Sequence, residues 1–368
     1  MIYLDSAATS LLKPVPVERE MLRALRTMAS PGRGAHPPAM RAAGTVLDCR
    51  EEAAALFHVP EPERVVFTSN ATHALNIAIR SLVKPGGTVV LSGFEHNAVT
   101  RPLHALGAHL RVAGRRLFDT EETLREFERL LPGADAAVCT QVSNVFGYVL
   151  PIPEIAKLCK QYYVPLIVDA SQAAGVLDVD LEGWGASFVA MPGHKGLLGP
   201  QGTGLLLCGG DAEPLLFGGS GSNSRLPDMP TELPDRLEAG THNVCGIAGL
   251  LAGIRAVKEL GPETIRERER RQLRRMCKGL DGSAWELFTG PEQAGVLSLR
   301  HPRLDCETAA RLLGERGICV RSGLHCAPLA HESAGTLETG TVRLSFSPFL
   351  SDGEIDLAAA VLRKLGEK

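Results

Sequence analysis

The chain has 368 residues, 44% of them hydrophobic and 22% charged, with 39 Lys plus Arg against 42 Asp plus Glu and a formal net charge of −3. This length suggests about two domains with a sizeable core, and the near-balanced charge excludes a strongly basic nucleic-acid binder and a highly charged disordered chain. No apolar run approaches the ~20 residues of a membrane span, and the start Met1-Ile2-Tyr3-Leu4-Asp5 lacks the basic and apolar regions of a signal peptide. Nine cysteines without a CxxC pair read as thiols of a reducing cytoplasm.

In chain order, residues 65–68 read as a strand. Ala71, Ala74, Leu75, Ala78, Ile79 and Leu82 then recur at helical spacing until Lys84-Pro85-Gly86-Gly87 stops them. Residues 88–91 are the next predicted strand, with a helical stretch near 98–106. A strand at 136–141 and a helix at 155–162 follow, then apolar strands at 164–168, 188–191 and 203–207. Continuous apolar strands separated by helices predict a parallel or mixed sheet covered on both faces. Between Phe217 and Pro234 a Gly/Ser run at 218–224 leads into Pro227 and Pro230, a long loop of the kind that often carries function. Helical patterning resumes near Val244, and the charged run 266–278, where Arg alternates with Glu at first, reads as a solvated helix face. Strands at 295–299 and 341–346 belong to a smaller α/β pattern that ends the chain.

Five segments carry residues able to do chemistry. Lys195 lies in the turn Met191-Pro192-Gly193-His194-Lys195-Gly196 directly after an apolar strand, at the sheet edge where open α/β folds bind ligands. The turn lacks P-loop spacing and precedes a strand. A partly buried lysine there suits a Schiff base, because desolvation frees the amine; the plain alternative is a surface lysine in a turn. Asp169 ends a strand and can pair with a protonated pyridine nitrogen, keeping the ring an electron sink, or can cap a helix. Residues 68–73 join a strand to a helix and offer hydroxyls and free amides to a phosphate, or simply cap the helix. His96, in Glu95-His96-Asn97-Ala98, can stack on an aromatic cofactor or stand solvated. Cys326 lies in Val320-Arg321-Ser322-Gly323-Leu324-His325-Cys326-Ala327-Pro328, where Arg321 and His325 are cationic neighbours that favour a thiolate. The other cysteines lie mostly in apolar patterns, as Cys139 and Cys319 do, and read as core. A metal site built from His325, Cys326 and His331 lacks a fourth ligand of suitable spacing.

Taken together the sequence resembles the class V aminotransferase-like, pyridoxal 5'-phosphate (PLP)-dependent cysteine desulfurases. It is most similar to the group with an Arg-x-Gly-x-His-Cys-Ala loop, which also contains selenocysteine lyases. The resemblance covers nearly the whole chain. It rests on Tyr3-Leu4-Asp5-Ser6-Ala7-Ala8-Thr9, Pro31-Gly32-Arg33-Gly34-Ala35-His36, Val142-Ser143-Asn144-Val145-Phe146-Gly147, the Gly-His-Lys turn, Glu238-Ala239-Gly240-Thr241 and Thr341-Val342-Arg343-Leu344-Ser345. It implies the aspartate-aminotransferase fold (fold type I): a large domain at 15–244 with a central, mostly parallel seven-stranded sheet, and a small α/β domain from 1–14 and 245–368. It also implies a homodimer with both active sites at the interface.

By the same resemblance Lys195 holds PLP covalently, Asp169 pairs with the ring nitrogen, Gln172 with the phenolic oxygen, and His96 stacks on the ring. Thr72 and His194 hold the phosphate beside Ala71, with Thr241 supplied by the partner subunit. Asn144 and Arg343 bind the substrate carboxylate, Arg321 shapes the site, and Cys326 takes the sulfur of L-cysteine as a persulfide, leaves L-alanine, and passes the sulfur to a protein acceptor. A mobile Cys326 loop is expected for that transfer. A selenocysteine lyase acting on L-selenocysteine, or another β-lyase, is the alternative on the same scaffold; a non-catalytic scaffold is the remote one, against which Lys195, Asp169 and Cys326 stand. No metal, nucleic acid or membrane is implied. The sequence departs from the family pattern at Pro192 (usually Ser or Thr), Ala71 (commonly Thr), Leu324 (often His), Ser6 (Asn) and His242 (Pro).

Overall fold

The computed structural model describes residues 1–32, 34–222 and 225–367. Arg33 of the Pro31-to-His36 motif, and Asn223 and Ser224 of the Gly/Ser run, lie outside the described residues. The strands in chain order are β1 (Ile2–Tyr3), β2 (Val65–Thr68), β3 (Thr88–Ser92), β4 (His109–Ala113), β5 (Ala136–Thr140), β6 (Leu166–Asp169), β7 (Phe188–Pro192), β8 (Gly204–Cys208), β9 (Glu286–Phe288), β10 (Val296–Arg300), β11 (Ile318–Cys319), β12 (Arg321–Gly323) and β13 (Thr341–Ser345).

Seven strands form one sheet in the order β2-β8-β7-β6-β5-β3-β4. From β7 to β4 every neighbouring pair is parallel, and β8 runs antiparallel to both β7 and β2. Strands β5 to β8 are buried throughout, as expected when both faces are covered and no alternation is needed. Every strand predicted in this region forms, with ends shifted by one or two residues. The exception in the other direction is β4, which the sequence does not announce. It is an edge strand whose His109 and Leu110 face solvent, so its apolar pattern is weak.

A second sheet, β12-β13-β10-β9, is antiparallel, and β1 pairs with β11 beside it. Its core gathers Leu4, Met276, Trp285, Leu297, Leu299, Val342, Leu344, Ile355 and Leu362. Val342 and Leu344 enter that core, so the alternation of β13 turns Arg343 to the opposite face.

The helix Val244–Leu260 departs from the expected domain boundary. It is apolar nearly all round, and Ile247, Leu250 and Ile254 share one apolar cluster with Val189, Met191, Leu205 and Leu207 of β7 and β8. A helix of that kind must be covered on every side. Gly253 permits the close approach, since a Cβ there would lie 2.4 Å from the Leu197 carbonyl oxygen. No helix is long and apolar enough to cross a membrane among the described residues. Cys49, Cys139, Cys159 and Cys208 are buried, but Cys319, read from the sequence as core, sits half-buried on a two-residue strand, and Cys326 is exposed.

Candidate active site

Because β3, β5, β6 and β7 are parallel, the segments leaving their carboxyl ends meet at one edge of the sheet. These segments bring Glu95 and His96, then Val142 to Asn144, Asp169, and Pro192 to Lys195 together. Of these, His96, Val142, Asn144, Asp169, Pro192, His194 and Lys195 join Asn70, Ala71 and Thr72 in lining a cleft of about 520 Å³. The turn carrying Lys195 closes through glycine. Gly193 accepts from Gly199 N–H at 2.8 Å, and a Cβ on Gly193 would lie 2.1 Å from Thr203 Oγ1. Burial lowers the Lys195 pKa to about 8; Asp169 opposes this, and Arg343 and Arg321 add to it.

Asp169 is buried and accepts from the Ser171 N–H at 2.9 Å. His96 caps the helix Asn97–Ala105, its Nδ1 accepting from the Ala98 N–H at 3.0 Å. Its pKa is lowered to about 4, chiefly by burial, with Asp169 pulling the other way. The imidazole is therefore neutral at pH ~7 with its proton on Nε2. Ala71 and Thr72 open the helix Ala71–Leu82, which Asn70 caps through a 2.9 Å bond from the His73 N–H. Free amides there favour an anion. His194 lines the same end of the cleft; its Nδ1 is buried without a partner, and burial brings its pKa to about 4. Gln172 also lines the cleft, and its Nε2 donates to the Ala7 carbonyl at 3.0 Å.

The cysteine segment lies against this cleft. The Asn97 N–H, one residue beyond His96, donates to the Cys326 carbonyl at 2.7 Å, and Asn144 Nδ2 donates to the His325 carbonyl at 2.9 Å. Arg321 Nη2 approaches Cys326 Sγ at 3.6 Å. The segment expected to be a mobile loop is a short turn that accepts a hydrogen bond at each of these two carbonyls, with His325 at φ 49° and Cys326 at φ 57°. Cys326 is exposed while His325 is buried and bonded through Nε2 to Thr341 Oγ1 at 3.1 Å. Burial holds His325 down to about 2, so it is not the cationic neighbour of the thiol that the sequence suggested. Arg321 alone fills that part.

Two expected residues are engaged elsewhere. Arg343, 1% exposed, donates through Nη2 to Asp5 at 2.6 Å and through Nη1 to the Asn144 carbonyl at 3.0 Å, while its Nε has no partner. Sequence reasoning did not pair Asp5 with it; Asp5 stands 338 positions away, reached because the β1 segment lies beside β13. Thr241 lines two hollows outside the Lys195 cleft. Beside it His242 meets Glu238, whose buried carboxylate also accepts from Arg50 and from the Phe67 N–H at 2.6 Å. Sequence reasoning also missed a role for Glu95. It is fully buried under the cleft, accepts from Ser92 Oγ and from the Thr140 N–H at 2.7 Å, and leaves Oε2 without a partner. Its place directly before His96 was the available signal.

The model of the family "Aminotransferase class-V" matches residues 2–357. The chain belongs to the class V aminotransferase family. Within that family it is similar to a probable cysteine desulfurase of Methanothermobacter thermautotrophicus, at 33% identity over 99% of this chain and 94% of that protein. A probable cysteine desulfurase of Pyrococcus abyssi is 32% identical over 99% of this chain and 94% of its own length. Among solved structures, the apo cysteine desulfurase of Thermococcus onnurineus NA1 superposes with a TM-score of 0.91 at 31% identity, covering 100% of this chain and 94% of that one. A class V aminotransferase of this kind is an enzyme, and open α/β sheets bind ligands at their carboxyl edge, where the Lys195 cleft opens.

Proposed function

We propose that this class V enzyme is a PLP-dependent cysteine desulfurase, working as a homodimer on L-cysteine and leaving its sulfur on Cys326. The observation that carries the reading is the bond from Asn97 N–H to the Cys326 carbonyl, because it joins the nucleophile's turn to the helix that begins at His96. The cleft residues fit the cofactor. An aldehyde calls for an amine that is easily deprotonated, which Lys195 is. A pyridinium calls for a buried carboxylate, which Asp169 supplies. A phosphate calls for donors, and the Ala71–Thr72 helix start and the unpartnered His194 Nδ1 supply them. His96 would lie on the ring, with Gln172 toward its oxygen.

When bound, the cofactor supplies an electron sink for charge that develops at the substrate Cα. The chain's own residues do the rest. Lys195, with its pKa near 8, takes up and returns the Cα proton close to neutral pH. Arg343 and Asn144 hold the substrate carboxylate, Arg343 sharing its guanidinium with Asp5. Cys326 attacks as the thiolate. An S–S bond forms as the substrate Cβ–Sγ bond breaks, and the released electron pair stays on Cβ, where a proton completes alanine. Arg321, at 3.6 Å, keeps a donor on the attacking sulfur. Because Cys326 is exposed, an acceptor reaches the persulfide from solvent. Thr241 lies away from its own chain's cleft, which supports its delivery to a partner's cofactor, and the exposed Leu11, Leu12, Val15, Leu22 and Leu25 offer an apolar face to that partner. Nine free cysteines support a reducing, cytoplasmic setting.

The test is incubation with L-cysteine, alkylation, digestion and mapping of persulfides, with alanine measured alongside and L-selenocysteine in parallel. Persulfide on Cys326 only, and loss of alanine formation from L-cysteine in Cys326→Ser, are the expected results. Persulfide on Cys49 or Cys245, or full activity in Cys326→Ser, overturns the reading; full activity with L-selenocysteine alone assigns a selenocysteine lyase.

A further inference from the structure

Lys195 borders two hollows. One is the His96 cleft. The other, of about 560 Å³, lies on the far side of Lys195 and Gln172, where the Ser6–Ser10 segment and β10 and β13 of the smaller unit meet the helix Pro262–Gly279. Its walls are largely apolar, formed by Val176, Leu198, Ile265 and Phe346. Its one carboxylate is Glu269.

That carboxylate has no visible task. Three arginines of the same helix have carboxylate partners, Arg266 with Glu263 and Glu292, Arg271 with Asp352 and Arg275 with Asp356, but none of them pairs with Glu269. Glu269 is half-buried at the hollow's wall and makes no ion pair or hydrogen bond among the described residues, and desolvation pushes its carboxyl up to about 8. The space around it is kept open by Gly295, where a Cβ would lie 2.6 Å from Glu269 Oε2. Ser6 Oγ, on the same wall, is buried and also lacks a partner. A carboxyl group in apolar surroundings without a partner is costly, and a fold that retains one at a cavity wall leaves a partner to come from outside.

We propose that this hollow is a second ligand site, taking a small alkylammonium ion with its cationic nitrogen on Glu269 and its hydrocarbon body against Ile265, Leu198 and Phe346. A cation with N–H donors restores the partner the carboxylate lacks and favours its charged form. An anion brings no N–H donor and leaves Glu269 without a partner. A neutral hydrocarbon leaves both Glu269 and Ser6 unsatisfied. Since Lys195 and Gln172 wall both hollows, a bound ligand lies against the lysine's stem from behind. The site does not depend on desulfurase activity, and its test needs no turnover.

The probe is N,N-dimethylbutylammonium, a tertiary amine that cannot form an imine, titrated calorimetrically into the protein as purified. Saturable binding at one site per chain is expected, weakened at least tenfold in Glu269→Gln and abolished in Val176→Phe, which fills the hollow. Glu263→Gln, on the exposed face of the same helix, binds as the wild type does, and butanesulfonate gives no saturable heat. Glu269→Gln is nearly isosteric with the protonated acid, so its fold is retained; unchanged circular dichroism checks this. No saturable binding to the wild type, or equal binding to Glu269→Gln and to Val176→Phe, overturns the proposal.

Discussion

Replacing Arg343 separates a structural arginine from one that also meets substrate. Its guanidinium is buried and makes a 2.6 Å contact with Asp5, whose side chain is 21% exposed, as well as a 3.0 Å bond to the Asn144 carbonyl. Arg343→Leu removes both contacts and leaves the Asp5 carboxylate half-stranded. Breaking a buried pair from one side costs ~3–5 kcal/mol, and the partial exposure of Asp5 puts the expected loss near the lower end, about 3 kcal/mol. Asp5→Asn keeps an acceptor oxygen and costs about 1–2 kcal/mol. The double variant Arg343→Leu/Asp5→Asn recovers part of the larger loss, because the contacting pair couples. Urea unfolding of the apo protein reads these stabilities, and the KM for L-cysteine reads the other role. A substrate carboxylate competes with Asp5 for the same guanidinium, so Asp5→Asn lowers KM while lowering stability, and Arg343→Lys raises KM because a point charge cannot offer two parallel donors. An Arg343→Lys variant with KM within twofold of wild type would show that Arg343 is only an ion-pair residue.

Glu95→Gln should flatten part of the pH dependence of stability. The Glu95 carboxyl is raised to about 8 by burial, against bonds from Ser92 and Thr140 that favour its charged form. With the unfolded value near ~4.3, the folded state binds the extra proton, so the stability this group contributes is complete below ~4.3 and is lost as pH rises through about 8, with a ceiling of ~5 kcal/mol. Urea midpoints compared at pH ~5 and ~8 check this; an unchanged slope in the variant refutes it. Arg50→Met should cost ~3–5 kcal/mol, because Glu238 is then left buried with only His242 and the Phe67 N–H. A thermal unfolding midpoint unchanged in Arg50→Met contradicts the assigned role of that carboxylate.

The sheet was legible because its strands are short apolar runs separated by helical patterns, and the carboxyl-edge position of Asp169 and Lys195 followed from that alone. What the sequence did not disclose were contacts set by topology. Asp5 reaches Arg343 only because the chain start runs parallel to β11 and bridges to Ser345 of β13. The resemblance places helix Val244–Leu260 with the smaller unit, yet a helix apolar nearly all round needs covering on every side, and this one shares an apolar cluster with β7 and β8. His325 was read as a cationic neighbour from adjacency in sequence. Burial on the opposite side of the turn from Cys326 makes it neutral, and no local pattern encodes that.

The turn at Cys326 also shows how a fixed nucleophile is obtained without a long loop. Two successive non-glycine residues, His325 and Cys326, stand in the left-handed region at φ 49° and 57°. Such positions cost on the order of 1–3 kcal/mol each and persist only where surrounding contacts over-determine them. Here both carbonyls are bound, one by the Asn144 side chain and one by the Asn97 backbone amide, and the buried His325 ring is bonded to Thr341 on β13. The three holding groups come from three different segments, after β5, after β3 and from the smaller sheet. The turn therefore keeps its shape only while the two sheets stay in their present relation. Reversing the two residues' backbone to the ordinary right-handed region would release those bonds and swing the thiol away from Arg321. The orientation of Cys326 is thus a property of how the two sheets pack.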